Sequence, residues 1–483
     1  MATNKRQDEF ELVSAMLTDI HLSHGALFNT RSLRLTLKKV QRRLRSEGIA
    51  FLTKTLPRLG KAFDKALSKQ CNLSAAKLGF RSEPNSELPR FLGEFFKVTL
   101  SSTGELLPDA RAEHVSVIRQ VCYLFYKYEL PYTDDQEQEV ISKFIRTEKD
   151  LLDVTERHAF LGAALSQVTS SRRRRRKPLD QLDVLREARI LLSRVFSGFD
   201  FTDIVPRHGP GVVATKQRLW DKYHWTTVSS RIRQCYPLDA YFYASLSAVA
   251  DDVDNLNKIA DDDLPAKVIL VPKDSRGPRL ISCEPVDFQW IQQGISRSLV
   301  KHIEHIPLTK HNVFFTNQSP NRMGALLGSL TGGYATLDLN EASDRVSTSL
   351  VRLLFPEHVF TFLESARSSS TELPDGTLLS LRKYAPMGSA LCFPVLALTV
   401  WSILTALTPD KGTREGILVY GDDVIVPTTL VENAIEHLES LGLKVNRDKS
   451  CTSGLFRESC GMDAFKGIPV TPLRLRTVWS SRP

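Results

Sequence analysis

The tetrapeptide Tyr420-Gly421-Asp422-Asp423 lies between two short β-prone runs, Ile417-Leu418-Val419 before it and Val424-Ile425-Val426 after it. Apolar, β-branched runs of this length around a Gly-Asp turn predict a hairpin with buried arms. Two adjacent carboxylates then sit at its tip. One unpaired buried carboxylate is costly, and two side by side also repel. The local fold therefore asks for positive charge at that tip. Magnesium suits it, because it takes oxygen ligands and is commonly held by one or two carboxylates plus substrate phosphates. The bland alternative is a polar turn that happens to contain Asp-Asp.

A third carboxylate is predicted to reach the same place. Gly332-Gly333 precede Tyr334-Ala335-Thr336-Leu337-Asp338-Leu339, which reads as a strand ending near Asp338. Asn340 to Asp344 then open a helix with Val346, Leu350, Leu353 and Leu354 on its buried side. A carboxylate at a strand end can face another strand's turn, so Asp338, Asp422 and Asp423 could share metal ions. Three carboxylates around two magnesium ions are the apparatus of in-line phosphoryl transfer.

Cations flank this set. Val268 to Val271 and Leu280-Ile281-Ser282 read as strands joined by a turn bearing Lys273, Arg276 and Arg279, placed to meet a triphosphate. A basic surface hairpin is the alternative. Pro386 to Ala390 is a small-residue loop that opens an apolar helix, and Ser389 there is either a contact hydroxyl or a helix cap. Residues 432–442 form an amphipathic helix ending at Gly442, followed by Arg447-Asp448-Lys449-Ser450. Lys449 could protonate a leaving pyrophosphate; by spacing alone it reads first as a surface lysine.

The 483 residues are 42% hydrophobic and 25% charged, the balance of a folded protein with more than one structural region. A net charge of +9 favours polyanionic partners. Seven cysteines show neither a CxxC pair nor a zinc spacing, which fits a reducing cytosol. The N-terminus lacks the apolar core of a signal peptide. The run Leu391 to Leu407 contains Pro394, Thr399, Ser402 and Thr405 and is predicted to be a buried helix rather than a membrane span.

Helices are also predicted over 8–22, 33–45, 114–128, 136–168 and 179–197, and over 51–67 with breaks at Pro57 and Gly60. The basic face of 33–45 is either solvated or turned to RNA. Arg172, Arg173, Arg174, Arg175, Arg176 and Lys177 form a like-charge block, which reads as an exposed loop or as a sequence-blind phosphate contact. RHGPGVV, residues 207–213, is a glycine-proline turn carrying Arg207 and His208, either an ordinary loop or a close approach to a nucleotide.

Taken in order, these pieces resemble the palm of a viral RNA-directed RNA polymerase. More narrowly, the chain resembles the replicase β subunits of the single-stranded RNA bacteriophages, the leviviruses. The carrying stretches are VPKDSRGPRLISCEP (271–285), DLNEASDRVS (338–347), YGDDVIVP (420–427) and FRESCG (456–461). HGPG (208–211) and FLTKTLPRLG (51–60) extend the likeness along most of the chain. FRESCG and HGPG are the family-specific pieces, whereas YGDD is shared with many RNA viruses.

The resemblance implies an α+β right hand of fingers, palm and thumb, with an antiparallel palm sheet and a largely helical N-terminal region. The boundaries it suggests are 1–200 for that region, 201–323 for fingers, 324–456 for palm and 457–483 for the start of a thumb. It implies Asp338, Asp422 and Asp423 as ligands of two magnesium ions, for which manganese could substitute. It places Lys273 and Arg279, with Arg276 between them, at the triphosphate, Ser343 and Asp344 at the ribose 2′-hydroxyl, and Ser389 in the template or nucleotide loop. The implied activity is primer-independent copying of the phage's own genome in the cytoplasm of the infected bacterium. The implied partners are single-stranded RNA template, ribonucleoside triphosphates, host translation elongation factors Tu and Ts and a ribosomal protein, with no membrane.

Three departures stand out. Asp338 and Asp344 are one residue further apart than their counterparts in many viral polymerases. MGSALCFPV lacks the Asn many of them carry. The sequence stops at Ser481-Arg482-Pro483, soon after FRESCG, as a short or truncated thumb would. A reverse transcriptase would also use a strand-end Asp and an Asp pair, but Gly421 argues against it. An inactive RNA-binding viral protein is disfavoured by the presence of all three carboxylates.

Overall fold

The computed structural model describes residues 2–167, 180–408 and 411–477. The Arg172 to Lys177 block and the last residues, Ser481 to Pro483, lie outside the described residues. The N-terminal part carries the helices α1 (Ala2–Ser23), α2 (Thr30–Glu47), α3 (Leu56–Leu67) and α4 (Ala112–Tyr123), with a short helical turn at Gly93–Lys97 before α4. Asn29 caps α2 by accepting from the Ser32 N–H. Val13, Leu17, Val40, Leu59, Phe63, Val115 and Ile118 gather into one buried core.

The break expected at Pro57 and Gly60 is absent. Residues 51–55 form a π-helical turn that runs straight into α3. Pro57 falls in the first turn of α3, where a missing N–H costs least. Gly60 packs against α4, where a Cβ would come within 2.8 Å of Tyr123 and 2.9 Å of Cys122.

Two helices, α5 (Asp134–Gln167) and α6 (Gln181–Val195), lead to a long antiparallel hairpin of β1 (Ala266–Asp274) and β2 (Gly277–Cys283). Then come α7 (Val286–His305), α8 (Ser319–Thr331), β3 (Tyr334–Leu337), α9 (Ala342–Arg345) and α10 (Thr348–Leu354). The helix expected as one piece after Asp338 is thus two short ones. Val346 is extended between them, and the Ser347 hydroxyl caps α10 by accepting from the Leu350 N–H at 3.1 Å. A β-branched residue followed by a strong capping residue favours restarting the helix over continuing it. Val346, Leu350, Leu353 and Leu354 are buried as expected.

Strands β4 (Ser370–Glu372) and β5 (Leu378–Ser380) extend the first sheet in the order β2-β1-β4-β5. Next is α11 (Cys392–Ala406), buried throughout from Pro394 to Ala406. Each large apolar side chain it buries contributes roughly 1.5–3 kcal/mol. No described helix is long and apolar enough to cross a membrane. The chain then forms β6 (Leu418–Tyr420), β7 (Asp423–Pro427), α12 (Val431–Ser440), β8 (Phe456–Ser459), β9 (Met462–Phe465) and β10 (Ile468–Pro469).

The central sheet is antiparallel, in the order β3-β7-β6, and its apolar residues join α6, α7, α10, α11 and α12 in a second core. The first core is completed from far along the sequence by Cys451, Phe456, Phe465 and Val470. Arg119, 1% exposed, joins the two ends of the chain. Its guanidinium pairs with Asp64 and, at 2.7 Å, with Asp463, and its Nε–H donates to the Val470 carbonyl at 3.1 Å.

Candidate active site

Pairing of Leu418 with Ile425, Val419 with Val424 and Tyr420 with Asp423 leaves Gly421-Asp422 as a two-residue turn. Gly421 has φ +63°, and Asp422 is not among the positive-φ residues. A positive φ at the first turn position alone is the type II′ geometry that suits the twist of a hairpin. Gly421 is also packed under the Phe393 ring, which a Cβ would strike. Val419, Val424, Ile425 and Val426 are fully buried, so the arms anchor the turn.

Strand β3 pairs with β7 in the register Leu337 to Val424. Asp338 is the next residue, which sets it beside Asp423. Its backbone is held on both sides. The Asp338 N–H donates to the Ser450 hydroxyl, and the Asn446 N–H donates to the Asp338 carbonyl. Asn446 Nδ2 reaches the carboxylate at 3.0 Å, and Lys449 Nζ lies 3.0 and 3.3 Å from its two oxygens.

Asp338, Asp422, Asp423, Lys449, Lys273 and Arg276 all line one cavity of about 990 Å³. Burial first, and then the Asp338 charge, pushes the Asp422 carboxyl above its ordinary range, against the pull of Lys449 and Arg279. Burial and the Asp422 charge do the same to Asp423. Burial works to strip Lys449 of its proton, but the Asp338 carboxylate outweighs it and holds the ammonium above its usual range. Lys273 is lowered, by burial and then by Arg279 and Arg276. The donors are hard oxygens whose charge is under-compensated, a chemistry that fits a divalent cation. They are not gathered around one point: among the described residues no three His, Cys, Asp or Glu side chains are placed to hold a metal ion.

The other expected residues fall in different surroundings. Arg279 is exposed opposite Val271 on the hairpin, and its charge reaches Asp422. Arg276 bonds Asp274 and the Tyr126 hydroxyl, with its guanidinium 4.4 Å from the Tyr126 ring centroid. Ser343, Asp344 and Ser389 are not among the residues lining the cavity. Ser343 bonds the Cys392 thiol. Asp344 lies 3.6 Å from the Lys383 ammonium, which is itself fully buried over the Phe144 ring. Ser389 is 7% exposed; its hydroxyl donates to Gln292 Oε1 and accepts from the Leu391 N–H. The small residues of that loop serve a close approach, because Gly388, at φ +129°, lies against the Ser282 carbonyl.

The HGPG loop also lies away from the cavity. Lys222 Nζ donates to the carbonyls of Gly209 and Gly211, and His208 is packed against Tyr223 and Trp290.

Sequence reasoning did not single out Asn446, Ser450 or Glu458. The first two sit in the polar stretch around Lys449, a local signal. Glu458, inside FRESCG, lines the cavity, and burial together with Asp463, Asp423 and Asp338 pushes its carboxyl up to about 8.

A family model described as RNA replicase, beta-chain, matches residues 181–482. Similar curated proteins include the RNA-directed RNA polymerase subunit beta of Qbeta virus (strain MX1), 30% identical over 271 residues, which are 56% of this chain and 44% of that one. The corresponding subunit of Enterobacteria phage SP is 34% identical over 49% of this chain and 40% of its own length. The RNA-directed RNA polymerase beta chain of Escherichia phage MS2 is 31% identical over 43% of this chain and 37% of its own. The chain thus covers less than half the length of each of these relatives. Among solved structures, an in situ structure of BmCPV RNA-dependent RNA polymerase at elongation state matches 86% of this chain and 40% of that chain, with a TM-score of 0.44 and 10% identity.

Proposed function

Because this chain belongs to the RNA replicase beta-chain family, we propose that it is an RNA-directed RNA polymerase that copies a positive-strand RNA phage genome without a primer. The observation that carries this reading is the meeting of Asp338, at the end of β3, with Asp422 and Asp423 at the β6–β7 turn, in one cavity with Lys273 and Lys449. In this reading the β3-β7-β6 sheet is the palm, residues 201–323 are fingers and residues from 457 onward begin a thumb.

Asp338, Asp422 and Asp423 would hold two magnesium ions, with manganese as a substitute. When bound, the metal lowers the pKa of the attacking hydroxyl and stabilises the leaving oxygens. The chain's own groups do the rest. Lys273 and Arg279 meet the triphosphate and offset its charge. The Lys449 ammonium, kept protonated by Asp338, holds a proton for the departing pyrophosphate. Asn446 and Ser450 fix the direction of Asp338. The template is single-stranded RNA, the substrates are ribonucleoside triphosphates, and the setting is the cytoplasm of an infected bacterium. Elongation factors Tu and Ts and a ribosomal protein are the proposed host partners.

The test is incorporation of labelled ribonucleotides on single-stranded RNA with magnesium, comparing the parent with Asp422→Asn, with and without bacterial extract. Product from the parent and none from the variant, with RNA affinity retained in both, supports the reading. Product only with extract assigns a role to host subunits. Incorporation of deoxynucleotides in preference to ribonucleotides would replace it with a reverse transcriptase, and absence of product in every arm would overturn it.

A further inference from the structure

The cavity that holds Asp338 and Asp422 is walled on one side by the N-terminal region, outside the stretch the family model matches. Helix α3 turns a stripe of cations onto it. Arg58, Lys61 and Lys65 stand at i, i+3 and i+7, all lining the cavity, and Lys77 joins them from the turn that follows. Lys65 is neutralised by Asp448 at 2.6 Å. Arg58, Lys61 and Lys77 are exposed and make no ion pair with any described residue. Arg58 donates to the Leu78 carbonyl at 2.9 Å, which fixes its direction.

The stripe is continuous with the basic hairpin. The Lys61 ammonium lies 5.5 Å from the Tyr126 ring centroid, and the same tyrosine binds Arg276 through its ring and its hydroxyl. Positive charge therefore runs from the rim at Lys77, through Arg58 and Lys61, to Arg276 and Lys273, facing the three carboxylates. Arg276 is paired with Asp274, whereas Arg58, Lys61 and Lys77 are in no ion pair with a described residue, and such cations raise the local concentration of anions.

The kind of anion follows from what else the wall offers. A track for single-stranded nucleic acid combines cations with aromatic faces on which bases stack. Here each aromatic ring lining the cavity is already covered by a cation: Tyr126 by Lys61 and Arg276, Tyr123 by Arg119 and Arg474, and Phe456 by Arg119. A phosphate finds cations at that wall, whereas each ring there already has a cation against it. The two free cations of the helix, Arg58 and Lys61, stand about 4.5 Å apart along its axis, within reach of one polyphosphate.

We propose that Arg58, Lys61 and Lys77 form a holding site for the triphosphate tail of the nucleotide, occupied before the nucleotide reaches the carboxylates and blind to its base. This rests on the polymerase reading for its purpose, but not for its measurement. The experiment is calorimetric binding of inorganic tripolyphosphate to the full chain without divalent metal, for the parent, for Lys77→Gln, and for Arg58→Gln/Lys61→Gln/Lys77→Gln. The expected result is a Kd raised about 3-fold in the single variant and 10-fold or more in the triple. ATP, GTP, CTP and UTP shift alike, and the affinity for a 20-nucleotide RNA changes less than about twofold. In synthesis assays the KM for nucleotides rises in step while kcat holds. Lys77 makes no side-chain hydrogen bond or ion pair with any described residue, so its variant keeps the parent's urea midpoint and reads binding alone. Unchanged tripolyphosphate affinity in both variants overturns the proposal. A loss of RNA affinity with tripolyphosphate unaffected overturns it too, and assigns the wall to RNA. A parent that binds tripolyphosphate through these residues yet makes no RNA supports the site and removes the polymerase reading instead.

Discussion

The Phe393 ring fills the space that a Cβ on Gly421 would need. Gly421 is also in the left-handed region, at φ +63°. Gly421→Ala therefore meets two costs, about 1–2 kcal/mol for the backbone and about 1–3 kcal/mol for crowding. The urea midpoint is expected to fall accordingly, and adding Phe393→Leu should return only the crowding part. A midpoint that does not move would mean that the turn relaxes without resistance.

The raised carboxyls of Asp422 and Asp423 set an expectation for metal. Magnesium should raise the melting temperature of the parent, by an amount equivalent to about 2.7 kcal/mol at a hundredfold excess over Kd. Asp422→Asn and Asp423→Asn should abolish that response. With chelator present, both variants should melt no lower than the parent, because they remove a buried charge that its neighbours repel. A parent indifferent to magnesium would remove the metal from the site.

In the proposed reading Lys449, held protonated beside Asp338, is the proton donor. Lys449→Met should slow single-nucleotide addition by about 10²–10⁴-fold while nucleotide affinity is retained. Lys449→Arg keeps a cation beside Asp338 but holds its proton too tightly, so it should restore little. Rapid-quench rates across pH would check this. A fall in nucleotide affinity with the rate intact would make Lys449 a phosphate contact instead.

His158 ties three elements together. It is 3% exposed, with Nδ1 at the Ser349 hydroxyl and Nε2 at the Leu441 carbonyl. Burial drives its pKa down to about 4. The unfolded chain therefore takes up a proton near pH 6.5 that the folded one refuses until about 4. Stability is complete above 6.5 and falls as pH drops toward 4, by about 3 kcal/mol in total. His158→Gln should lose that slope in urea titrations between pH 7 and 4.5. An unchanged slope would place the acid sensitivity elsewhere.

Much of the site was legible because its signals are local. The Tyr420 to Asp423 hairpin and the strand ending at Asp338 are both written in short-range alternation and turn chemistry, and their meeting follows from pairing adjacent strands. Lys449 needed the fold, since spacing alone could not bring it to an oxygen of Asp338. Ser389 shows the limit from the other side. Its loop was readable, but the direction of its hydroxyl depends on Gln292, 97 residues away. The split after Asp338 was readable in Ser347, a strong cap inside an apolar pattern. The basic wall of α3 was not, because nothing near Arg58 in sequence says what it will face.

The bond network of Arg119 has a consequence for how the chain is made. Synthesis delivers Arg119 and Asp64 early, but Asp463 and the Val470 carbonyl arrive roughly 350 residues later. Until then the first core lacks Phe456 and Phe465 as well. A ribosome that stops short of residue 463 releases a chain with an unfinished N-terminal core, and with it a cavity missing the support of one wall. Translation therefore sets an order of assembly: the N-terminal wall of the cavity is completed only once residues 456–470 have been made.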